Sequence, residues 1–211
     1  MRKGHVFMTE LERMLSGKLY YPGDEALVKA RRKAQTLCWQ YNRTHPEAYA
    51  ERTDILKQLL GAMGENCYIK PTFQCDYGSN IYLGDHFYAN CDCVFLDVAP
   101  ITIGRDAYLA PRVCLYTAGH PTTPEVRNAD LEFGLPITIG DSVWIGGNAV
   151  ILPGVTIGSG TIIAAGSVVT RDIPSNVIAG GNPCKILRPL TDADRTKWED
   201  QRRLYEESRQ A

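Results

Sequence analysis

The chain has 211 residues, of which 44% are hydrophobic, and its formal net charge is −1. This balance is typical of a soluble protein with a large core, and it argues against the strongly basic surface that binds nucleic acid. The sequence has no apolar run near the ~18 residues of a transmembrane helix, and no basic amphipathic stretch suited to a membrane surface. The N-terminal residues are basic but lack an apolar core, so we expect no signal peptide and a cytoplasmic protein.

Residues 1–62 have the periodicity of helices. Segment 9–12 reads Thr-Glu-Leu-Glu, a capping box that begins a short helix, and Gly17 is suited to end it. A second helix is predicted over 24–42 and a third over 46–61, which opens with a proline. Their inward faces would carry Leu27, Ala34, Leu37, Cys38 and Tyr41, and then Ile55, Leu56, Leu59 and Leu60. Because this region is too small to stand alone, we expect it to cap the element that follows.

A six-residue period replaces the helical pattern from Cys67 onward. A helix repeats near 3.6 residues and a strand every two, so a strict interval of six indicates a short strand plus a turn. Three such units make one triangular coil, and coils stack ~4.8 Å apart as parallel strands. We therefore predict a solenoid domain over 63–189. The aliphatics that mark its core most clearly are Ile139, Ile145, Ile151, Ile157, Ile163 and Val169.

Two segments depart from the repeat. Residues 118–136 are polar and lack inward aliphatics, so they are predicted to form a loop extruded from one edge of a coil. Long loops on a rigid scaffold often carry function. Residues 190–211 form a highly charged tail whose main apolar residues are Trp198 and Leu204, and we expect a weak surface helix there.

The seven cysteines are an odd number and include no pair at CxxC spacing. In a cytoplasmic chain this usage predicts free thiols that serve as small apolar side chains, and neither a disulfide nor a metal site. Cys91 and Cys93 are two positions apart, which places both on one face of a strand.

Several segments resemble the maltose and galactoside O-acetyltransferases, from Met8 to about Leu190. They are GKLYYPGDEAL near the N-terminus, SNIYLGDHFYANCDCVFLDVAPITIG, TAGHP, VWIGGNAVILPGVTIG, SVVTRDIP and GNPCKILRPL. Hexapeptide repeats are common to many acyltransferases, whereas FYAN with LDVAPI and TAGHP is more specific. The resemblance implies a mainly β fold, a left-handed parallel β-helix with an N-terminal helical region and a short C-terminal helix. It also implies a homotrimer, with sites between subunits that transfer acetyl from acetyl-CoA to a sugar such as maltose or glucose.

Acetyl transfer to a hydroxyl requires a base for the hydroxyl proton and a group that stabilises the oxyanion. The thioester is already activated, so we expect no metal. His120 lies where the solenoid opens into the loop, between Gly119 and Pro121, and histidine changes charge near neutral pH. We therefore expect His120 to be the general base. His86 is consistent with a surface turn.

The resemblance also implies the acceptor site. Asn90 would hydrogen-bond an acceptor hydroxyl or orient the imidazole, and its alternative role is to satisfy a turn backbone. The other residues expected there are Asp24, Asp76, Tyr88, Asp97 and Glu132. Taken alone, Tyr88 would be a wall aromatic and Asp97 a turn cap. Pro22 stands where the galactoside enzymes carry an acidic residue, which favours an acceptor of the maltose type.

The coenzyme is expected along the C-terminal coils. Three cations there would suit its phosphates, and a glycine amide near the thioester would stabilise the oxyanion. The expected residues are Trp144 and Gly147 at the cleft, Ala165 and Thr170 along the pantetheine arm, and Arg171, Lys185 and Arg188 at the phosphates.

Three other functions could use the same repeat, and the first fails on its number of zinc ligands. A hexapeptide-repeat carbonic anhydrase needs three zinc-binding histidines, but only His86 and His120 lie in the repeat region. An acetyltransferase for another acceptor, such as a galactoside, lipo-oligosaccharide, amino acid or antibiotic, would use the same scaffold and base. A non-enzymatic binding module would require neither a histidine at the loop nor a basic patch.

Overall fold

A computed structural model describes residues 7–209 of the chain. Residues 1–6 of the predicted helical region and residues 210–211 of the charged tail lie outside this range. The helices are α1 (Glu10–Leu15), α2 (Glu25–Tyr41), α3 (Tyr49–Leu59), α4 (Pro124–Arg127) and α5 (Asp192–Ser208). The strands before the loop are β1 (Ala62–Met63), β2 (Tyr68–Ile69), β3 (Phe73–Cys75), β4 (Ile81–Leu83), β5 (Tyr88–Ala89), β6 (Cys93–Leu96), β7 (Ile101–Ile103), β8 (Tyr108–Leu109) and β9 (Cys114–Tyr116). The remaining strands are β10 (Ala118–Gly119), β11 (Phe133–Gly134), β12 (Ile137–Ile139), β13 (Trp144–Ile145), β14 (Val150–Ile151), β15 (Thr156–Ile157), β16 (Ile162–Ile163), β17 (Val168–Val169), β18 (Val177–Gly180) and β19 (Lys185–Pro189).

The N-terminal helices begin and end largely where their sequence signals predict. The Thr9 and Glu12 side chains form the reciprocal capping box of α1. The prediction for α3 was wrong at its start, because residue 46 lies in a turn in which the Ala48 amide donates to the carbonyl oxygen of His45 at 3.0 Å. The helix begins after this turn, at Tyr49. Leu27 packs in a separate cluster with Met14 and Tyr77. The other buried apolar residues of α2 and α3 pack into the same core as the first coil, and so these helices cover that end of the solenoid.

The solenoid has three parallel faces, and its fold class, a left-handed β-helix, is the predicted one. The first face contains β1, β4, β7, β12 and β15, the second contains β2, β5, β8, β13, β16 and β18, and the third contains β3, β6, β9, β14 and β17. The chain passes from the first face to the second and then the third in every coil. Residues that are one coil apart therefore stack on the same face or the same edge, and this stacking determines which side chains can meet.

The inward positions are those marked by the six-residue period. Each of the six aliphatics that mark the repeat has at most 1% of its surface exposed. Two polar side chains also point inward near the C-terminal end, and both form hydrogen bonds. Thr161 donates to the carbonyl oxygen of Pro174 at 2.7 Å, and Ser167 donates to that of Ala164 at 2.6 Å. The core therefore tolerates these hydroxyls because each has a backbone partner.

The last strand departs from the repeat. β19 runs antiparallel to β18, with Lys185 opposite Gly180. The chain reverses at Gly181, whose positive φ of 100° favours glycine. The parallel coils therefore end at β18, earlier than predicted, and β19 forms a hairpin on the second face. Within residues 7–209, no helix is long and apolar enough to cross a membrane.

Candidate active site

The 118–136 loop leaves the solenoid at the edge between the third and first faces, after β9 and before β12. Its two ends pair as β10 and β11, with Ala118 opposite Gly134 and Gly119 opposite Phe133. A Cβ added at Gly119 would lie 2.6 Å from the Phe133 ring, so a larger residue would push the ring away. The loop is thus a short antiparallel ladder at its base, with α4 in the segment between the two strands.

His120 follows directly after β10, and its side chain is exposed. Pro121 restricts the backbone of His120 to extended conformations. Arg127 on α4 donates to the carbonyl oxygens of Pro121 at 3.0 Å and Thr122 at 3.4 Å. The ladder before His120 and the arginine after it therefore fix the backbone that carries the imidazole.

His120 contributes to the walls of two adjoining cavities of about 420 and 340 Å³. Both lie between the loop and the turn that precedes α2, and both include Pro22, Gly23 and Glu132. The first, named here the inner cavity, is also lined by Tyr20, Arg31, Asp76, Tyr77, Leu96, Val98 and Ala118. The second, the outer cavity, adds Tyr21, Arg127 and Asp130.

Glu132 is held in the shared wall by Tyr20. The backbones of the two residues exchange hydrogen bonds of 3.0 and 3.1 Å, and the Tyr20 hydroxyl donates to the Glu132 carboxylate at 2.8 Å. Burial and the neighbouring carboxylate raise the pKa of Tyr20, so its hydroxyl remains a donor. This pairing fixes the far end of the loop against the N-terminal segment and orients the carboxylate beside the cavities.

Asp76 and Arg31 add two further charged groups to the inner cavity. Burial raises the pKa of the Asp76 carboxyl, whereas the positive charge of Arg31 lowers it and Glu132 raises it. Arg31 was missed by the sequence analysis. It lies four residues after Leu27 and seven before Cys38, on the inward stripe of α2, and a charged residue in such a stripe is the signal that identifies it.

Asp97 does not contact the cavity, which corrects its predicted place in the acceptor site. Its side chain is 0% exposed, and it accepts hydrogen bonds from the amides of Asp76 at 3.0 Å, Tyr77 at 2.8 Å and Asn80 at 3.2 Å. Asp97 therefore has the alternative role of a turn cap, and it positions Asp76 through the backbone amide of that residue.

Asp24 also has a structural role. Its carboxylate accepts from the amides of Ala26 at 3.0 Å and Leu27 at 3.3 Å, which makes it the N-cap of α2. Neither cavity around His120 includes it among its lining residues. Asp24 instead fixes the end of the turn that carries Pro22 and Gly23.

Asn90 and Tyr88 lie on a different side of the solenoid from His120. They line a separate cavity of about 430 Å³ on the second face, together with Tyr108 and Trp144. The Tyr88 ring stacks on Tyr68 at a centroid distance of 6.2 Å, and the Tyr108 ring is tilted against it at 6.3 Å. The Asn90 side chain accepts from the following amide at 2.9 Å. A single chain therefore does not bring Asn90 or Tyr88 to His120.

Four of the predicted coenzyme residues occupy two edges of the solenoid. Gly147 and Ala165 lie one coil apart on the edge between the second and third faces, where the Gly166 amide donates to the Gly147 carbonyl oxygen at 2.8 Å. Thr170 and Arg171 follow β17 on the edge between the third and first faces. This is the edge that carries the loop, and the two residues lie two coils beyond the coil from which the loop leaves. Both of the latter side chains are exposed.

Lys185 and Arg188 are exposed on β19. Arg188 lines a groove of about 690 Å³ between the second face and α5, with Trp144, Ile162, Asn176, Ile178, Leu190, Thr191, Asp192, Asp194, Arg195 and Trp198. Its guanidinium donates to both carboxylate oxygens of Asp194, at 2.6 and 2.8 Å. The contribution of α5 to this groove was not predicted, because the tail has a helical charge pattern but no motif.

His86 occupies a turn between the first and second faces, and its φ is 57°. Asn66 and Asp106 hold the same turn position in neighbouring coils, with φ of 57° and 55°. The His86 amide donates to the carbonyl oxygen of Glu65 at 2.8 Å. This histidine therefore lies in a repeated left-handed turn on an edge different from that of the loop. No three His, Cys, Asp or Glu side chains in the described range cluster as metal ligands would.

Comparisons with known proteins match two parts of this architecture. The maltose acetyltransferase hexapeptide capping motif matches residues 13–64, and the bacterial transferase hexapeptide model, with six repeats, matches residues 136–171. The galactoside O-acetyltransferase of Escherichia coli (strain K12) is 42% identical over 188 residues, which cover 89% of this chain and 93% of that protein.

Two solved structures have the same fold. The maltose O-acetyltransferase from Clostridium difficile 630 is 50% identical with a TM-score of 0.86, covering 87% of this chain and 98% of that one. A galactoside acetyltransferase in complex with coenzyme A is 41% identical with a TM-score of 0.87, covering 90% of this chain and 94% of that one. The sequence-based prediction of an O-acetyltransferase is thus confirmed. The chain belongs to the hexapeptide-repeat acetyltransferases, in the family of the maltose and galactoside O-acetyltransferases.

Proposed function

We propose that this protein transfers the acetyl group of acetyl-CoA to a hydroxyl of a sugar such as maltose or glucose, with His120 as general base. The observation that carries the proposal is the position of His120 in the wall of the inner cavity, next to Asp76 and Glu132. A cavity with a few convergent polar groups is what a small polar ligand requires. Carboxylates accept hydrogen bonds from hydroxyls, so both acidic side chains suit a sugar.

The reaction follows from these groups. The His120 imidazole takes the proton of the acceptor hydroxyl as the oxygen attacks the thioester carbonyl. The carbon–sulfur bond then breaks, coenzyme A leaves as its thiol after it receives a proton, and the sugar gains an ester. The Gly147 amide, at the edge between the second and third faces, is suited to stabilise the oxyanion.

The complete site is composite in this proposal, with His120 from one subunit and Asn90, Tyr88 and Trp144 from its neighbour. The support is that these groups lie on different sides of one chain, and that the second face exposes aromatic side chains. Tyr108 is 51% exposed and Trp144 54% exposed, and apolar surface of this kind needs a partner. A cyclic homotrimer of triangular solenoids would cover the second face of each subunit.

Acetyl-CoA would lie along the solenoid in the same clefts. Ala165 and Thr170 would line the pantetheine arm, and Arg171, Lys185 and Arg188 would meet the phosphates. All three cations are exposed near the C-terminal coils, and charge-assisted contacts from such side chains suit phosphate oxygens. The complex of the related galactoside enzyme with coenzyme A supports this cosubstrate.

The test is a screen of acceptors with acetyl-CoA, in which thiol release is followed and the product is identified by mass spectrometry. Thiol release that depends on maltose or glucose, with a product one acetyl group heavier, is expected. Release only with an amino acid or an antibiotic would show that the acceptor class is wrong. Light scattering tests the assembly, and a monomer at micromolar concentration would contradict the composite site.

A further inference from the structure

Arg31 spans the inner cavity from one wall to the other. Its guanidinium donates to the Tyr77 hydroxyl at 2.7 Å and to the Pro22 carbonyl oxygen at 2.6 Å. It also lies over the Tyr77 ring, with its central carbon 5.7 Å from the ring centroid. Tyr77 belongs to the solenoid and Pro22 to the turn before α2, so this single side chain joins the two walls.

The charge of Arg31 matters as well, because of what surrounds Asp76. The groups that line the cavity with it are His120 and Glu132 from the loop, Tyr20 and Arg31 from the N-terminal region, and Tyr77 on its own segment, with Asp97 beneath. Arg31 is the cation that lowers the pKa of Asp76 against its burial and against Glu132. An ionised carboxylate accepts hydrogen bonds at both oxygens, whereas a protonated one presents a donor as well.

We propose that Arg31 is a positioning residue of the acceptor site: it ties the turn at Pro22 to Tyr77 and supplies the positive charge beside Asp76. This inference rests on the proposed function, in which Asp76 contacts the acceptor. The contact between the two walls requires the planar guanidinium, since its two ends bind Tyr77 and Pro22 at once, whereas the positive charge requires only a cation at this position.

Three variants separate the tie from the charge. Arg31→Gln removes both, Arg31→Lys keeps the charge but loses the two-ended contact, and Arg32→Gln removes one exposed charge from the neighbouring position on α2. We expect Arg31→Gln to raise the acceptor KM about tenfold at neutral pH, the size of one charge-assisted hydrogen bond. The acetyl-CoA KM should not change.

The pH profile is the measurement that a merely structural role would not alter. In Arg31→Gln, the acceptor KM should begin to rise at a higher pH as the solution is acidified, because Asp76 protonates more readily. Arg31→Lys should keep the parental midpoint while its acceptor KM is raised. The inference is wrong if the acceptor KM of Arg31→Gln has the same pH midpoint as that of the parent. It is also wrong if Arg32→Gln shifts this midpoint as far as Arg31→Gln does.

A second readout needs no activity. Asp76 has a raised pKa in the folded state, so its contribution to stability is present at low pH and is lost as the pH rises through its titration. Loss of Arg31 makes the ionised Asp76 carboxylate still less stable in the folded protein. The Tm deficit of Arg31→Gln relative to Arg32→Gln should therefore grow between about pH 4 and about pH 7. A constant deficit would overturn the inference, even if the parent protein acetylated no sugar.

A separate observation concerns α5. The two hydrogen bonds between Arg188 and Asp194 have the fork geometry that a guanidinium also forms with phosphate. Arg188 holds the pKa of Asp194 well below its usual range, so this carboxylate stays charged. None of the residues of α5 is buried, and the helix is therefore joined to the solenoid by few contacts besides this pair.

We infer that α5 competes with the coenzyme for Arg188, because Asp194 occupies the guanidinium where a phosphate would bind. This inference rests on the proposed role of Arg188. Binding of coenzyme A would then release Asp194 and the start of α5 from β19. Asp194 also accepts from the Thr191 amide at 2.9 Å as part of the helix cap, so a control must separate the cap from the ion pair.

Calorimetric titration with coenzyme A tests this competition. Asp194→Asn should bind about two- to fivefold more tightly than the parent, the range of an exposed ion pair. Thr191→Val removes the capping hydroxyl but keeps the ion pair, and its affinity should be parental. Arg188→Ala should bind more weakly, and adding Asp194→Asn to it should bring no gain. If Asp194→Asn binds coenzyme A no more tightly than the parent, the competition is wrong but the proposed function stands. If the parent binds no coenzyme A, the proposed function is wrong as well.

Discussion

Asp97→Ala tests the structure beneath the acceptor site. The Asp97 carboxylate is fully buried and accepts from three backbone amides, those of Asp76, Tyr77 and Asn80. Alanine would leave all three donors without an acceptor. The exchange should therefore destabilise the protein and loosen the segment that carries Asp76.

The expected loss follows from two opposing effects. A buried amide that loses its partner costs about 1–3 kcal/mol, so three amides cost roughly 6 kcal/mol. Removal of a buried charge offsets part of this. Burial raises the pKa of Asp97 from 3.8 to about 6, and a shift of about two units corresponds to roughly 3 kcal/mol at neutral pH. We therefore expect Asp97→Ala to lower the free energy of unfolding by about 3 kcal/mol at neutral pH.

The sign of the pH dependence follows from the same shift. Since the pKa in the folded protein, about 6, exceeds the unfolded value, the stabilising contribution of Asp97 is present at low pH and is lost as the pH rises through about 6. The penalty for Asp97→Ala should therefore be larger at about pH 5 than at about pH 8.

Urea unfolding followed by circular dichroism measures these differences, with Asp97→Asn as the matched variant. Asparagine keeps one oxygen acceptor and removes the charge, so its stability at neutral pH should lie within about 1 kcal/mol of the parent. The reasoning is refuted if Asp97→Ala keeps the parental unfolding midpoint while its acceptor KM rises. That result would mean that the carboxylate binds the sugar directly.

Three further predictions concern the coenzyme, the assembly and the core. Arg171→Ala or Lys185→Ala should raise the acetyl-CoA KM about tenfold with little change in kcat, since phosphate contacts are equal in ground and transition states; a lower kcat at unchanged KM would contradict this placement. Mixing inactive His120→Ala and Asn90→Ala chains under conditions of subunit exchange should restore activity, because some clefts would then contain both His120 and Asn90. No recovery of activity in verified mixed oligomers would contradict a composite site. Ile145→Ala, at a position that is 0% exposed, should reduce the free energy of unfolding by about 2–5 kcal/mol in urea titrations, and a loss below about 1 kcal/mol would contradict its inward position.

The solenoid and its inward positions could be predicted because each coil places aliphatic side chains inward at the same interval. Ile145 and Ile163 must point inward in the same register, so an interval of six is visible in the sequence alone. β19 has no such constraint. Its hairpin on the second face depends on where the chain reverses at Gly181, and the aliphatic pattern of KILRP does not distinguish a further coil from an antiparallel return.

The candidate site was harder to predict than the fold. The position of His120 follows from a break in the repeat, which is a sequence signal. By contrast, Asp97 was assigned to the acceptor site by resemblance, although its buried carboxylate accepts hydrogen bonds from backbone amides. Arg31 and Tyr77 are 46 residues apart in the sequence, and only the packing of α2 on the solenoid brings them together.

The kcat of His120→Ala, measured beside that of His86→Ala, tests the proposed mechanism most directly. His86 lies in a turn on another edge of the solenoid, so its variant controls for the loss of any histidine. If His120 removes the hydroxyl proton, His120→Ala should lower kcat by ~10²–10⁴-fold with both substrates still bound, and His86→Ala should turn over like the parent. Near-parental kcat in His120→Ala would contradict general-base catalysis by this residue.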